Sequence, residues 1–147
     1  MIIRSFELDD YEAVFSLWQK TPGLGLSQID DAKPGIEKFL KRNPTTSFVA
    51  DDPEVGVVGA ILCGHDGRRA MVHHTCVDQA YARRGIGEKL VNAVIEALKN
   101  EGINKAALVV FTGNEMGNQF WQKMGFTLRE DLNYRNLVIV DQNRTKT

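Results

Sequence analysis

Only two cysteines, Cys63 and Cys76, occur in the 147 residues, too few for a disulfide framework or a cysteine-built metal site. Both stand inside apolar runs, Ala60-Ile61-Leu62-Cys63 and Thr75-Cys76-Val77, as buried reduced thiols do. No stretch approaches the ~18 uncharged apolar residues of a membrane helix. The start, Met1-Ile2-Ile3-Arg4-Ser5-Phe6-Glu7, lacks a basic region followed by an apolar one. No membrane span or leader is expected, and a cytoplasmic location is the default. A basic excess is also missing: 18 Lys and Arg against 19 Asp and Glu leave a net charge of −1. Nucleic acid and membrane surfaces are therefore not expected partners. The three histidines, His65, His73 and His74, have no carboxylates at ligand spacing, so no metal is expected.

The length suits one domain of roughly 150 residues, taken as 1–147 with about 141–147 as a flexible tail. Charge divides unevenly along it. Residues 1–73 hold 8 basic and 11 acidic residues, whereas 74–147 hold 10 and 8, which favours an anionic ligand on the second half. Ile2-Ile3 reads as a strand. Tyr11, Val14, Phe15, Leu17 and Trp18 then recur at helical spacing behind Asp9 or Asp10 as N-cap. The loop Thr21-Pro22-Gly23-Leu24-Gly25-Leu26-Ser27 mixes turn residues with leucines and is a candidate lid. A short helix over 34–41 follows, then a strand at Ser47-Phe48-Val49-Ala50.

Residues 56–63 and 69–77 flank the turn His65-Asp66-Gly67 and read as an antiparallel hairpin. Ile86, Leu90, Val94 and Leu98 then recur at i+4, with Gly102 where a C-terminal cap belongs. Residues 106–111 form a continuous apolar run, as in a strand buried on both faces. Asn114 to Met124 is a second helix closed by Gly125-Phe126, and Leu137-Val138-Ile139-Val140 is a last strand. The order β-α-α-β-β-β-α-β-α-β-β predicts an α/β (α+β) fold, a mixed sheet with helices on both faces.

Chemistry concentrates between residues 77 and 90, Val77-Asp78-Gln79-Ala80-Tyr81-Ala82-Arg83-Arg84-Gly85-Ile86-Gly87-Glu88-Lys89-Leu90. The stretch joins a strand to a helix N-terminus, where free N–H groups attract an anion such as a pyrophosphate. Gly85 and Gly87 permit a tight turn and close approach, and Arg83 and Arg84 add charge. A plain strand-to-helix turn with two solvated arginines would read the same way. A dinucleotide fingerprint would need Gly where Leu90 stands, and a P-loop would need Gly-Lys-Ser/Thr. Val-x-x-x-Tyr-x-Arg-Arg-Gly-Ile-Gly after an antiparallel strand resembles the acyl-CoA pyrophosphate loop of the GNAT superfamily of N-acetyltransferases. Asn114-Glu115-Met116-Gly117-Asn118-Gln119-Phe120-Trp121-Gln122-Lys123-Met124-Gly125-Phe126 resembles that family's second motif.

The resemblance implies a mostly antiparallel sheet with a splayed parallel pair at its centre, made by the strand ending at Val77 and that of Leu108 to Val110. The pantetheine arm of acetyl-CoA, the co-substrate, would lie in the splay. The backbone of Thr75, Cys76 and Val77 would meet its amides, and the N–H groups of Arg83, Arg84, Gly85, Ile86, Gly87 and Glu88 its pyrophosphate. Asn114 and Trp121 would border the arm. Ala82 departs from the Gln or Arg usual in the family, a smaller loss for a loop that works through backbone donors.

Acyl transfer to an amine needs a base, an oxyanion donor and a proton for the thiolate. The resemblance implies the Val77 N–H as oxyanion donor. It also points to His73, four residues before Val77, as base, since Val109 stands where some family members carry Glu. Side-chain alternation puts His73 on one face with Met71, Thr75 and Val77, and His74 on the other. Trp121 replaces a frequent Tyr, which leaves Tyr134 as candidate acid. A hydrogen-bonded pair of core histidines and a core-covering strand tyrosine are the structural alternatives for His73 and Tyr134. The expected activity is acetyl transfer to a primary amine of a small molecule or protein lysine; the other reading is a non-catalytic acyl-CoA or peptide binding module. Trp18, Leu24, Leu26, Asp30 and Asp31 are the candidate acceptor wall, suited to a cationic amine, and a homodimer is possible.

Overall fold

In the computed structural model, Ile2–Ser5 (β1) pairs antiparallel with Phe48–Asp52 (β3), which pairs with Gly56–His65 (β4), which pairs in turn with Ala70–Val77 (β5). Ala106–Ala107 (β6) joins β5 in parallel, giving the sheet order β1-β3-β4-β5-β6. The structure describes residues 1–143 and the backbone of Thr145 and Lys146.

Helices cover both faces. Tyr11–Lys20 (α1) buries Tyr11, Val14, Leu17 and Trp18, and Lys33–Arg42 (α2), with Pro34 in its first turn, buries Ile36. Together with Val49, Ala60, Leu62 and Cys76 they form one half of the core. Ile86–Asn100 (α3) turns Ile86, Leu90, Val91, Val94 and Leu98 toward Val58, Ile61, Cys63, Ala70 and Val72 on the opposite face. Glu115–Lys123 (α4) rests its rings on this second half without burying any residue fully.

Four details differ from the sequence reading. Asp10 stands at the N-cap of α1, as expected, but at the end of a 3-10 turn, Leu8–Asp10, and its side chain makes no capping bond to the helix. Asp10 is committed elsewhere, accepting two bonds from Arg4 at 2.9 and 2.8 Å and one from the Glu7 N–H at 2.9 Å. The strand expected over 106–111 pairs only at β6, and Leu137–Val140 forms no strand, so the parallel pair ends the sheet instead of sitting at its centre. The loop after α1 holds Leu26–Ser27 (β2), paired with Thr145–Lys146 (β7). Within the expected tail, Asp141–Asn143 is a 3-10 turn, while Arg144 and Thr147 lie outside the described residues.

Candidate active site

β5 carries a bulge. Ile61 pairs with Thr75 but Cys63 pairs with Val72, so three residue steps on β5 oppose two on β4. The extra residue falls at His73–His74 and shifts the phase of the strand. Ala70 and Val72 face the α3 half of the core, whereas Cys76 faces the α1 half. Between them both histidines face the α1 and α2 layer. The His73 ring meets Phe39 edge-on at 5.8 Å, and the His74 ring meets Trp18 at 5.0 Å. The expected division of the two histidines between faces is thus corrected, because strict alternation does not survive a bulge.

His74 Nε2 lies 2.8 Å from Asp31 Oδ1. The other carboxylate oxygen of Asp31 accepts the Ser27 N–H at 2.6 Å, and the Tyr11 hydroxyl donates to the Asp31 carbonyl at 2.7 Å. Asp31 is buried. Asp30 accepts from the Asn143 side chain at 2.6 Å. Both acids, taken from the sequence as a wall for a cation, thus have partners inside the protein. His73 opens to solvent, yet the protein crowded round its ring holds its pKa below the ordinary value. His74 adds to that shift, and Asp31 and Asp30 oppose it. Close by, the Trp18 indole N–H is buried with no hydrogen-bond partner.

β5 and β6 pair at Ala70 with Ala106 and at Met71 with Ala107, and among the described residues no strand continues along that side of β5 from His73 onward. The Asp78 N–H donates to the Val58 carbonyl at 2.7 Å. In an antiparallel ladder hydrogen-bonded pairs alternate with non-bonded ones, so the backbone groups of Val77 and Thr75, opposite Gly59 and Ile61, turn away from β4 toward this gap. Those of Cys76 belong to the ladder with Ala60, and its side chain lies in the α1 half of the core. Of the three residues expected along the pantetheine arm, two present backbone to the gap and the third does not. Burial pushes the Cys63 and Cys76 thiols up to about 12. Neither is a thiolate able to carry an acyl group.

Beyond Val77, Asp78 caps a 3-10 turn, Gln79–Tyr81, by accepting the Ala80 N–H at 2.9 Å. The chain then visits the left-handed region twice, at Arg83 (φ 65°) and Gly85 (φ 77°). Such a conformation costs a residue with a Cβ about 1–2 kcal/mol, and in this arrangement it curls successive N–H groups into a concavity that suits an anion. Gly85 leads into α3 without a side-chain cap, which leaves the first-turn donors of the helix open. The Arg84 guanidinium lies over the Tyr81 ring, 4.7 Å from its centre. A Cβ on Gly87 would stand 3.2 Å from the Phe120 ring, showing how closely α3 and α4 approach here.

Asn114 caps α4 by accepting the Gly117 N–H at 2.9 Å. Its amide nitrogen would lie 3.6 Å from a Cβ on Gly23, which brings the α1–β2 loop next to α4. Trp121 packs edge-on against Phe120 and Phe126 at 4.9 and 5.1 Å. Tyr134 is exposed on the segment that forms no strand, and no hydrogen bond links it to another described residue. The sequence reading had left out three features: the hold of Asp31 on His74, the left-handed Arg83, and Tyr81 beneath Arg84. Only the spacing Tyr-x-x-Arg gave any sign of them.

Residues 11–126 match the model of the acetyltransferase (GNAT) family. The chain is 32% identical to an acetyltransferase of Photorhabdus laumondii, over 97% of this chain and 99% of that one. It is 28% identical to an acetyltransferase of Yersinia pestis at the same coverage. Among solved structures, Ard1 from Thermoplasma volcanium superposes with a TM-score of 0.77 at 23% identity, over 98% of this chain and 92% of that one. A Mycobacterium tuberculosis protein, Rv2747, solved in complex with CoA superposes at 0.71 with 19% identity, over 88% and 74%.

Proposed function

Since the chain belongs to the GNAT acetyltransferase family, we propose that it transfers the acetyl group of acetyl-CoA directly to a primary amine of a small molecule or a protein lysine. The observation that carries this reading is the succession of three features from the end of β5 to the start of α3. Backbone groups of Thr75 and Val77 face the gap beside β5, Arg83 and Gly85 curl the next turn into an anion cradle, and the α3 N-terminus opens beyond it. Pantetheine amides, a pyrophosphate and a helix dipole match these in order. The second half's small positive balance suits the same polyanion.

The amine nitrogen attacks the thioester carbonyl, and the Val77 N–H supports the oxyanion as the C–N bond forms. His73 takes the proton that the amine loses; its depressed pKa keeps the ring neutral and ready to accept it. The C–S bond breaks and the thiolate, of ordinary pKa near ~8.5, collects a proton from water or from a tyrosine. With both cysteines protonated, no acyl-enzyme on sulfur competes with direct transfer. The test is release of free CoA thiol from acetyl-CoA across an amine panel that includes polyamines, aminoglycosides and lysine peptides. Amine-dependent release is expected. Tight binding of acetyl-CoA with no turnover on any amine would instead make the chain a binding module.

A further inference from the structure

The turn at residues 29–31 is held by three separate parts of the chain. It closes on itself first: the Asp31 N–H donates to the Ser27 carbonyl at 3.2 Å and the Ala32 N–H to the Ile29 carbonyl at 3.3 Å. From α1, the Tyr11 hydroxyl donates to the Asp31 carbonyl. From α2, Gly35 comes so near that a Cβ there would overlap the carbonyl oxygens of Ile29 and Asp30. The third hold is Asn143, 114 positions beyond Ile29. Its Oδ1 accepts the N–H groups of both Ile29 and Asp30 at 2.9 Å, and its Nδ2 donates to the Asp30 carboxylate at 2.6 Å. Asn143 is itself fixed, since its own N–H donates to the Val140 carbonyl at 2.9 Å and β7 just beyond it pairs with β2.

The chemistry of this clamp is specific to an amide. One side chain must offer an oxygen with two free lone pairs to successive N–H groups and a donor to a carboxylate. Aspartate would supply the oxygen but set a second carboxylate against Asp30. Alanine would supply neither. What the clamped turn presents is Asp31, whose buried carboxylate takes His74 Nε2 at 2.8 Å and the Ser27 N–H at 2.6 Å. His74 in turn follows His73 at the bulge of β5, where both rings face the α1 and α2 layer. Fixing one ring therefore fixes the backbone that carries the other.

We propose that Asn143 is a positioning residue: by clamping Ile29 and Asp30 it sets Asp31 on His74 and so holds the bulge that presents His73 to the amine. Its effect on turnover rests on the reading of the chain as a transferase with His73 as base, whereas its effect on His74 does not. A base must be held to a fraction of an ångström by the residues behind it, and a displacement begun far from the chemistry is enough to slow transfer. Of the three holds, the bonds of Asn143 are the ones at the surface, so they can be cut without opening the core.

The test exchanges donor and acceptor in the full chain. Asn143→Asp keeps the oxygen for both N–H groups and replaces the donor by a charge that repels Asp30. It should lower kcat/KM for the amine about tenfold or more and leave the acetyl-CoA KM unchanged, because β5 and the turn before α3 are untouched. Made in a chain that already carries Asp30→Asn, the same substitution should cost nothing further, since the new amide at 30 donates to the new carboxylate at 143. Such a cycle isolates the pair from any general effect of either change. Equal losses in both backgrounds, or no loss in the first, overturn the proposal.

A second readout needs no turnover. The Nε2 proton of His74, followed by nuclear magnetic resonance, should exchange faster with water in Asn143→Asp and in Asn143→Ala, and return to its wild-type rate in the paired variant. A His74 signal that none of these changes moves means the clamp does not reach β5, which also overturns the proposal. A wild-type chain that turns over no amine defeats the transferase reading alone, and the clamp then stands or falls on the His74 signal.

Discussion

The imidazole of His74 is bound to the carboxylate of Asp31 at 2.8 Å, with Asp31 buried and held in turn by the Ser27 N–H. The pair joins the middle of β5 to the loop between β2 and α2. Asp31→Ala leaves a ring nitrogen and a backbone N–H without their acceptor. The expected loss is about 3 kcal/mol, read as a lower urea midpoint. The protein should also become more sensitive to proteolysis between α1 and α2.

His73 sets a pH dependence whose sign follows from its depressed pKa. The folded value lies below the unfolded one, so the unfolded chain binds the proton first as pH falls. Stability is full above about 6.5, the ordinary value, and is lost as pH drops through that value toward the folded one. For the same reason kcat/KM should rise with pH through a midpoint below 6.5. His73→Gln should abolish that midpoint, slow turnover by about 10²-fold or more, spare acetyl-CoA affinity and flatten the acid limb of the stability curve. A profile identical to wild type places the base elsewhere.

Gly87→Val tests the cradle by bulk. Its Cβ would already press on the Phe120 ring at 3.2 and 3.3 Å and approach Val77 at 3.9 Å, and the added methyl groups extend over the α3 N-terminus. Calorimetry should show acetyl-CoA affinity at least about tenfold weaker, a change of ~1.4 kcal/mol. Gly85→Ala meets no atom within 4 Å but must keep φ near 77°. It should cost about 1 kcal/mol of stability through strain alone.

Asn114→Ala separates a cap from a contact. Loss of the bond to the Gly117 N–H should cost about 1 kcal/mol. Asn114→Asp keeps that acceptor and restores the stability, while removing the amide donor that stands by Gly23. If the amide meets the pantetheine arm, acetyl-CoA KM rises in both variants, whereas only the alanine form melts early.

Helix α3, its i+4 stripe and the turn that precedes it were legible in the sequence, because a 15-residue amphipathic helix and a glycine-spaced loop are local patterns. The β4–β5 hairpin was legible for the same reason. The orientation of His73 was not: helices cover both faces of β5, so its apolar pattern carries no phase, and the bulge arises from pairing with β4. Nor was the fate of Leu137–Val140, whose β-branched, uncharged sequence states that it wants a neighbour but not which one. Local propensity and spacing thus determined the elements and the glycine-spaced turn before α3. Only tertiary packing decided which histidine meets Asp31, which backbone groups face the gap, and where the sheet stops, because each depends on contacts between residues far apart in the chain.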